Sequence, residues 1–357
     1  MAQPRVLRTV KRGLLMASKR LGLLSTSAAS QWRRDRLLIL GYHGISQHDE
    51  HLWDPEYYMS QEHFAGRMQM VRDLGCNVLP LDEAVGRLYR GDLPARSVAI
   101  TFDDGLHDFY ARAYPILERQ GFPVTVYQTT YYCTYNRPVF DVICSYLLWK
   151  GREVAIDGAE FTGRAGLLNL STKATRSAVA AEICLHAARQ RLSGPGKDAL
   201  ALSLAARLGI DFDEIIRRRT LHLMNPGEVT TLARQGVEFQ LHTHRHRSPD
   251  DRTRFEDEIR ENRRIIETLT RVPAAHFCHP GIDQGPVRDW LERLNITSAT
   301  TCDPGLASRD TDRFLLPRLI DTSLLSALEF EAWLSGLSVP HGLFRGRLFV
   351  DTRPAPG

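Results

Sequence analysis

The chain has 357 residues, 43% hydrophobic and 25% charged, the balance of a globular protein with core enough for one large domain or two ordinary ones. Its formal charge of +4 is unevenly spread: residues 1–36 hold nine Lys/Arg against the single acid Asp35, so the remainder is net acidic by four. An excess confined to one arm argues against nucleic-acid binding, and six scattered cysteines with no CxxC pair argue against a disulfide framework and for reduced thiols in a reducing compartment.

The arm, residues 1–36, places Val6, Val10, Leu14, Ala17, Leu21 and Leu24 on one helical face, with its basic residues mostly opposite. Lys11, Arg12, Lys19 and Arg20 interrupt its apolar positions, so neither a secretory h-region nor a membrane span is expected. A basic amphipathic helix of this kind either lies on an anionic membrane surface or packs on the protein's own body. The expected location is cytoplasmic, peripheral on the inner face of the cell membrane if the first holds.

After the arm, short apolar runs alternate with helical stretches. "RLLILGYHGIS" (36–46) and "RSVAITFDDG" (96–105) read as strands, and "LHDFYARAYPILERQG" as a helix stopped by Gly121. "FPVTVYQTT" (122–130) reads as a third strand. In "NPGEVTTLARQG" (225–236), Asn225 is an N-cap, Pro226 takes the first helical position, Glu228 completes a capping box and Gly236 ends the helix. A strand at 237–243, a charged helix at about 251–270, a strand at 275–280, a helix at about 286–294 and a strand at 296–301 follow. Such alternation predicts an α/β architecture around a parallel sheet, open or closed into a barrel. Residues 131–224 break the pattern and read as a mostly helical insertion, because a connection of that length is seldom structureless. The expected organisation is an arm at 1–36, a body at 37–337 containing the insertion, and a tail at 338–357.

In parallel α/β folds chemistry gathers at the C-terminal ends of strands. His43, the pair Asp103–Asp104, His242 and His279 all fall there. "HTHRH" (242–246) sets His242 and His246 four apart, and two imidazoles with one carboxylate make an open metal site; Asp104 can supply the carboxylate. Zinc suits such a set, as do Fe(II), Co(II) or Ni(II). Asp103, beside the ligand, can then take a proton from metal-bound water as general base. Each motif has a plainer alternative. Asp-Asp-Gly after a strand also makes a turn and an N-cap, a His-rich loop is often just solvated, and His244 competes with His246 because residues 242 and 244 of a strand share a face.

Taken together, "TFDDG" (101–105) and "HTHRH" resemble the paired motifs of the polysaccharide deacetylases, the NodB-like homology domain of carbohydrate esterase family 4. The second motif looks like that family's H-[ST]-x-x-H. The resemblance covers most of residues 37 to about 321 apart from the insertion. It implies a distorted (β/α) barrel with fewer than eight strands, and hydrolysis of an N-acetyl or other acyl group from a sugar. By the same resemblance Asp103 is the general base, and Asp104, His242 and His246 hold a divalent metal. "GYHGIS" (41–46) looks like the Tyr-His start of an exopolysaccharide-associated subgroup, which makes His43 the candidate acid for the leaving amine.

The chain departs from the family where "FCHPGI" (277–282) replaces an Arg-Pro-Pro-Tyr or Tyr-Pro-Tyr-Gly stretch, so the arginine that steadies the base is missing there. The Gly281 N–H remains a candidate oxyanion donor, and Arg318, in the late "LLPRL", a candidate replacement for that arginine. The implied substrate is an N-acetylated glycan, oligosaccharide or lipid-linked sugar in surface-polysaccharide synthesis. A deformylase or other amide hydrolase on the same metal site is the alternative chemistry. A degenerate carbohydrate-binding protein is the alternative without chemistry.

Overall fold

The computed structural model describes residues 5–280 and 288–337. Among the described residues, one compact unit takes those up to Thr134 and from Met224 on; a second takes Tyr135–Leu223. The elements of the second unit are mainly helices, among them Phe140–Lys150, Lys173–Arg189, Gly194–Arg207 and Phe212–Arg217. Thr172, Ser193 and Asp211 cap three of them through their side chains.

The first unit is built on seven parallel strands: β1 (Leu38–Tyr42), β2 (Ser97–Phe102), β3 (Thr125–Gln128), β4 (Glu238–Leu241), β5 (His276–Cys278), β6 (Ser298–Thr300) and β7 (Leu319–Ile320). Their spatial order is β7-β1-β2-β3-β4-β5-β6, with a two-residue strand, Asn77–Val78, beside the start of β2. β1 and β2 are buried along their whole length, as strands covered on both faces must be. Alternate residues serve alternate faces. Leu38, Leu40, Tyr42, Val98, Ile100 and Phe102 join the larger core cluster. Ile39, Ala99, Tyr127, Cys278 and Leu316 form a second cluster with Leu81, Ala84, Val85 and Leu88 of the helix Leu81–Arg90.

One stretch, residues 313–320, closes the ring. The N–H groups of Ala299 and Thr301 donate to Arg313 O (2.8 Å) and Leu316 O (2.9 Å), and the Leu316 N–H donates to Ala299 O (2.9 Å). A few residues later β7 pairs with β1, Leu40 opposite Leu319 and Gly41 opposite Ile320. The result is a distorted (β/α) barrel with fewer than the eight strands of a complete one.

The helix Pro226–Arg234 begins with the expected capping box of Asn225 and Glu228. The arm is also helical, at Arg5–Arg20 and Leu23–Ala29, and part of it packs on the body. Leu15 and Leu24 form a cluster with Ala332, while Lys11 and Lys19 pair with Glu329 and Glu331 at 2.7 and 2.6 Å. The stripe anticipated from periodicity faces mostly outward: Val10, Leu14 and Leu21 are 56, 60 and 74% exposed, and Leu24 alone of the described leucines in that stripe is buried. All six cysteines are free thiols.

Behind the barrel's closing stretch lies a buried ion pair. Arg67, on the helix Gln61–Asp73, donates to both Asp321 oxygens (2.9 and 3.2 Å) and to Leu325 O, and the Tyr42 hydroxyl also meets Asp321 Oδ2 (3.2 Å). Removing one partner of such a pair strands the other charge without water. Arg67→Ala should therefore cost about 3–5 kcal/mol in urea unfolding; a loss below about 1 kcal/mol would show that the pair does not secure β7 to the helix.

Candidate metal centre

Asp103 prolongs the β1–β2 ladder, its N–H donating to Tyr42 O at 2.9 Å. Asp104 then leaves the strand in the left-handed region (φ 66°) and Gly105 follows at φ 77°. Glycine is required at 105 for a second reason: a Cβ there would lie 2.0 Å from Gln128 Oε1. This double turn aims Asp104 away from its neighbour, so two adjacent carboxylates face different partners.

Asp104 Oδ1 meets two imidazoles, His242 Nε2 at 3.3 Å and His246 Nε2 at 3.2 Å. The three side chains form a group able to hold a metal ion, with a donor set of two neutral nitrogens and one carboxylate oxygen that suits a divalent transition metal. His242 ends β4. Its N–H donates to Asn262 Oδ1 (2.9 Å) and its Nδ1 contacts Cys278 O (2.8 Å). A carbonyl only accepts, so Nδ1 carries a proton, and Nε2, facing Asp104, is the nitrogen whose lone pair a cation would take in place of a proton.

His246 reaches the same point because Thr243 and His246 both turn left-handed, at φ 64° and 56°. Arg245 pins the loop to the helix Arg252–Thr270, its backbone N–H and guanidinium both bonding Glu258 (2.7 and 2.6 Å). His244 points elsewhere: its Nδ1 pairs with Thr130 Oγ1 (2.9 Å) and its ring packs edge-on to Tyr131. Of the two candidates in "HTHRH", it is therefore His246 that faces Asp104 beside His242.

Asp103 is gripped by Arg318. Nη1 donates to Oδ1 and Nη2 to Oδ2, both at 2.7 Å, while Nε donates to Thr301 O and Nη1 also reaches Thr101 Oγ1. Burial works against the charge on Asp103, but the guanidinium overrides it and holds the carboxyl well below the usual carboxylate range. Burial also opposes ionisation of Asp104, and His246 and His242 hold it low. His43 sits across from Asp103, Nε2 to Oδ2 3.6 Å; burial lowers its pKa despite the two carboxylates. In His242, burial is outweighed by Cys278 and Asp104, and the pKa is raised.

Of the other anticipated residues, His279 directly follows β5 but turns its Nε2 toward Phe314 O (3.4 Å), and burial drops its pKa to about 4. Gly281 lies outside the described residues. Two residues with no motif to mark them also belong here. Asn262 orients His242, and the Tyr57 hydroxyl donates to Asp104 Oδ2 while its ring lies 4.5 Å from that of His43.

The sequence profile of the polysaccharide deacetylase family matches residues 90–161. A protein of Bacillus subtilis (strain 168), YxkH, whose name places it among polysaccharide deacetylases, is 33% identical over 93 residues, 26% of this chain and 31% of its own length. The chain thus spans about a third of that curated relative. Among solved structures, the Streptococcus pyogenes deacetylase PplD in complex with acetate superposes with a TM-score of 0.54 at 17% identity, over 85% of this chain and 99% of its own. IcaB from Ammonifex degensii gives 0.50 at 15% identity, over 84% and 97%. At these identities the structural likeness is one of fold.

The side-chain contacts separate two histidines that sequence leaves equivalent. After dialysis against zinc and then buffer, His246→Ala should lose its bound metal and His244→Ala should keep one equivalent by elemental analysis. Equal loss from both variants would reject the assignment.

Proposed function

We propose that the chain, whose residues 90–161 match the polysaccharide deacetylase family, is a metal-dependent hydrolase that removes N-acetyl groups from a sugar in a polysaccharide, oligosaccharide or lipid-linked precursor. The observation that carries this reading is the convergence of Asp104, His242 and His246 on one point, with Asp103 held separately beside it by Arg318. A purely structural Asp-Asp turn does not need two different sets of partners.

Asp104 Oδ1 and the two Nε2 atoms would hold the cation, zinc in the first instance. Bound there, such an ion supplies Lewis acidity to an acyl oxygen and lowers the pKa of water from 15.7 to about 7. Asp103 stays ionised through its pair with Arg318, which leaves it able to accept a proton and unable to swing onto the metal. His43 is neutral at rest because of its burial, and its Nε2 stands 3.6 Å from Asp103 Oδ2. A proton taken by Asp103 therefore has a short route to the imidazole and on to the departing amine. The Gly281 N–H, as the resemblance implies, is the proposed donor to the acyl oxygen.

Asp103→Asn tests the assignment. It should retain one equivalent of metal and lose about 10²–10⁴-fold of the acetate release from N-acetylated oligosaccharides. Full activity in that variant removes Asp103 from the mechanism; formate instead of acetate from the wild type favours a deformylase, and glycan binding without any product favours a degenerate protein.

We further place this activity at an anionic membrane surface, the inner face of the cell membrane. The support is the outward stripe of Val10, Leu14 and Leu21, flanked by exposed Arg12 and Arg20 on a helix whose other side is tied to the body. No helix among the described residues is long and apolar enough to cross a membrane. Replacing Val10, Leu14 and Leu21 together by Asp should abolish sedimentation with phosphatidylglycerol vesicles while sparing turnover of a soluble substrate. Unchanged sedimentation rejects the surface.

A further inference from the structure

The loop between β1 and the helix Gln61–Asp73 is held by a small parallel pairing, Gly44–Ile45 against Tyr58–Met59. The Gly44 N–H donates to Tyr57 O (3.1 Å) and the Ser46 N–H to Met59 O (2.8 Å). A Cβ on Gly44 would lie 2.2 Å from the Tyr58 ring, so only glycine allows the two segments this close. The pairing fixes Tyr57 immediately beside His43, and the tyrosine hydroxyl donates to Asp104 Oδ2.

The two oxygens of Asp104 are thereby distinguished. Oδ1 faces both imidazoles; Oδ2 is taken by Tyr57. A ligating carboxylate with a free second oxygen can rotate or close on the cation with both atoms, whereas one already hydrogen-bonded is committed to a single orientation. We propose that Tyr57 is the positioning residue of the metal centre: its hydroxyl occupies Asp104 Oδ2, so that Asp104 would offer a cation only Oδ1, the oxygen that faces both imidazoles. This role rests on the metal-site reading above. It also couples the metal to the loop carrying the tyrosine, since the ladder that seats Tyr57 begins at the residue after His43.

Tyr57→Phe removes the donor and keeps the ring against His43. The probe is cobalt(II), added to full-length metal-free protein, with affinity read by chelator competition and ligand geometry by the visible ligand-field band. The variant should bind cobalt about 10–100-fold more weakly than wild type and with a displaced band, because a freed Oδ2 changes the donor set. An affinity within about twofold of wild type, or a band that does not move, overturns the role of Tyr57 alone. Wild-type protein that takes up no cobalt overturns the metal centre itself and this proposal with it.

Discussion

The bidentate pair between Arg318 and Asp103 is the interaction on which the candidate site at the end of the barrel depends. Two ions taken fully out of water each lose several kcal/mol of hydration, so such a pair persists only with near-ideal geometry and every remaining donor satisfied. Both conditions hold: the guanidinium meets each carboxylate oxygen at 2.7 Å and also donates to Thr301 O and the Thr101 hydroxyl. The arginine stands between Leu316, which bridges to β6, and Leu319, which pairs with β1. Closing the ring and fixing the proposed base are therefore one event. A barrel that failed to close at residues 313–320 would leave Asp103 buried and unpaired, beside a second carboxylate.

That constraint explains the strain next to it. Asp103 is bonded through both oxygens to Arg318, so separation of the two acids falls to Asp104, which adopts a left-handed conformation that aspartate tolerates. Thr243 and His246 also turn left-handed, and for a β-branched threonine this is unusual. Three such residues in two short loops, all within or beside the proposed ligand set, is the pattern expected where surrounding structure overrides local preference for the sake of a site. The Thr243 hydroxyl accepts the Arg247 N–H at 2.9 Å, and the Arg245–Glu258 contacts hold the same loop, so the cost is met locally.

The sequence makes the strands and the larger motifs legible because each rests on contiguous residues. Apolar runs mark β1 to β6, capping residues mark the helix at 226–234, and the strand-end rule places His43, Asp103, Asp104 and His242 at one end of the sheet before any contact is known. What escapes is whatever depends on pairing across distance or on a dihedral angle. β7 is two residues long and follows Pro317, too short to show a period. Tyr57 sits in an aromatic run with no motif, and its contact with Asp104 exists only because two-residue strands pair at 44–45 and 58–59. The choice between His244 and His246 turns on positive φ at Thr243 and His246, which composition does not encode. In the arm, periodicity finds the apolar stripe, but Glu329 and Glu331, at the other end of the chain, decide which side of the helix faces the body.

A second group, Asp103, His242 and Cys278, is also compact enough to hold a metal ion, and it shares His242 with the first. Proximity alone does not separate them; the prior commitments of their atoms do. Both Asp103 oxygens are occupied by Arg318, Nδ1 of His242 donates to the Cys278 carbonyl, and Arg318 Nη2 also lies 3.0 Å from the Cys278 sulfur. A cation entering there would have to displace a buried guanidinium and sit against its positive charge in a low-dielectric interior. The first group asks for nothing comparable. His242 Nε2, His246 Nε2 and Asp104 Oδ1 face one another, and the oxygen of Asp104 that points away is already satisfied by Tyr57. One proton on one ring nitrogen therefore directs His242 to Asp104, and the arginine that secures the proposed base would also keep a cation off it.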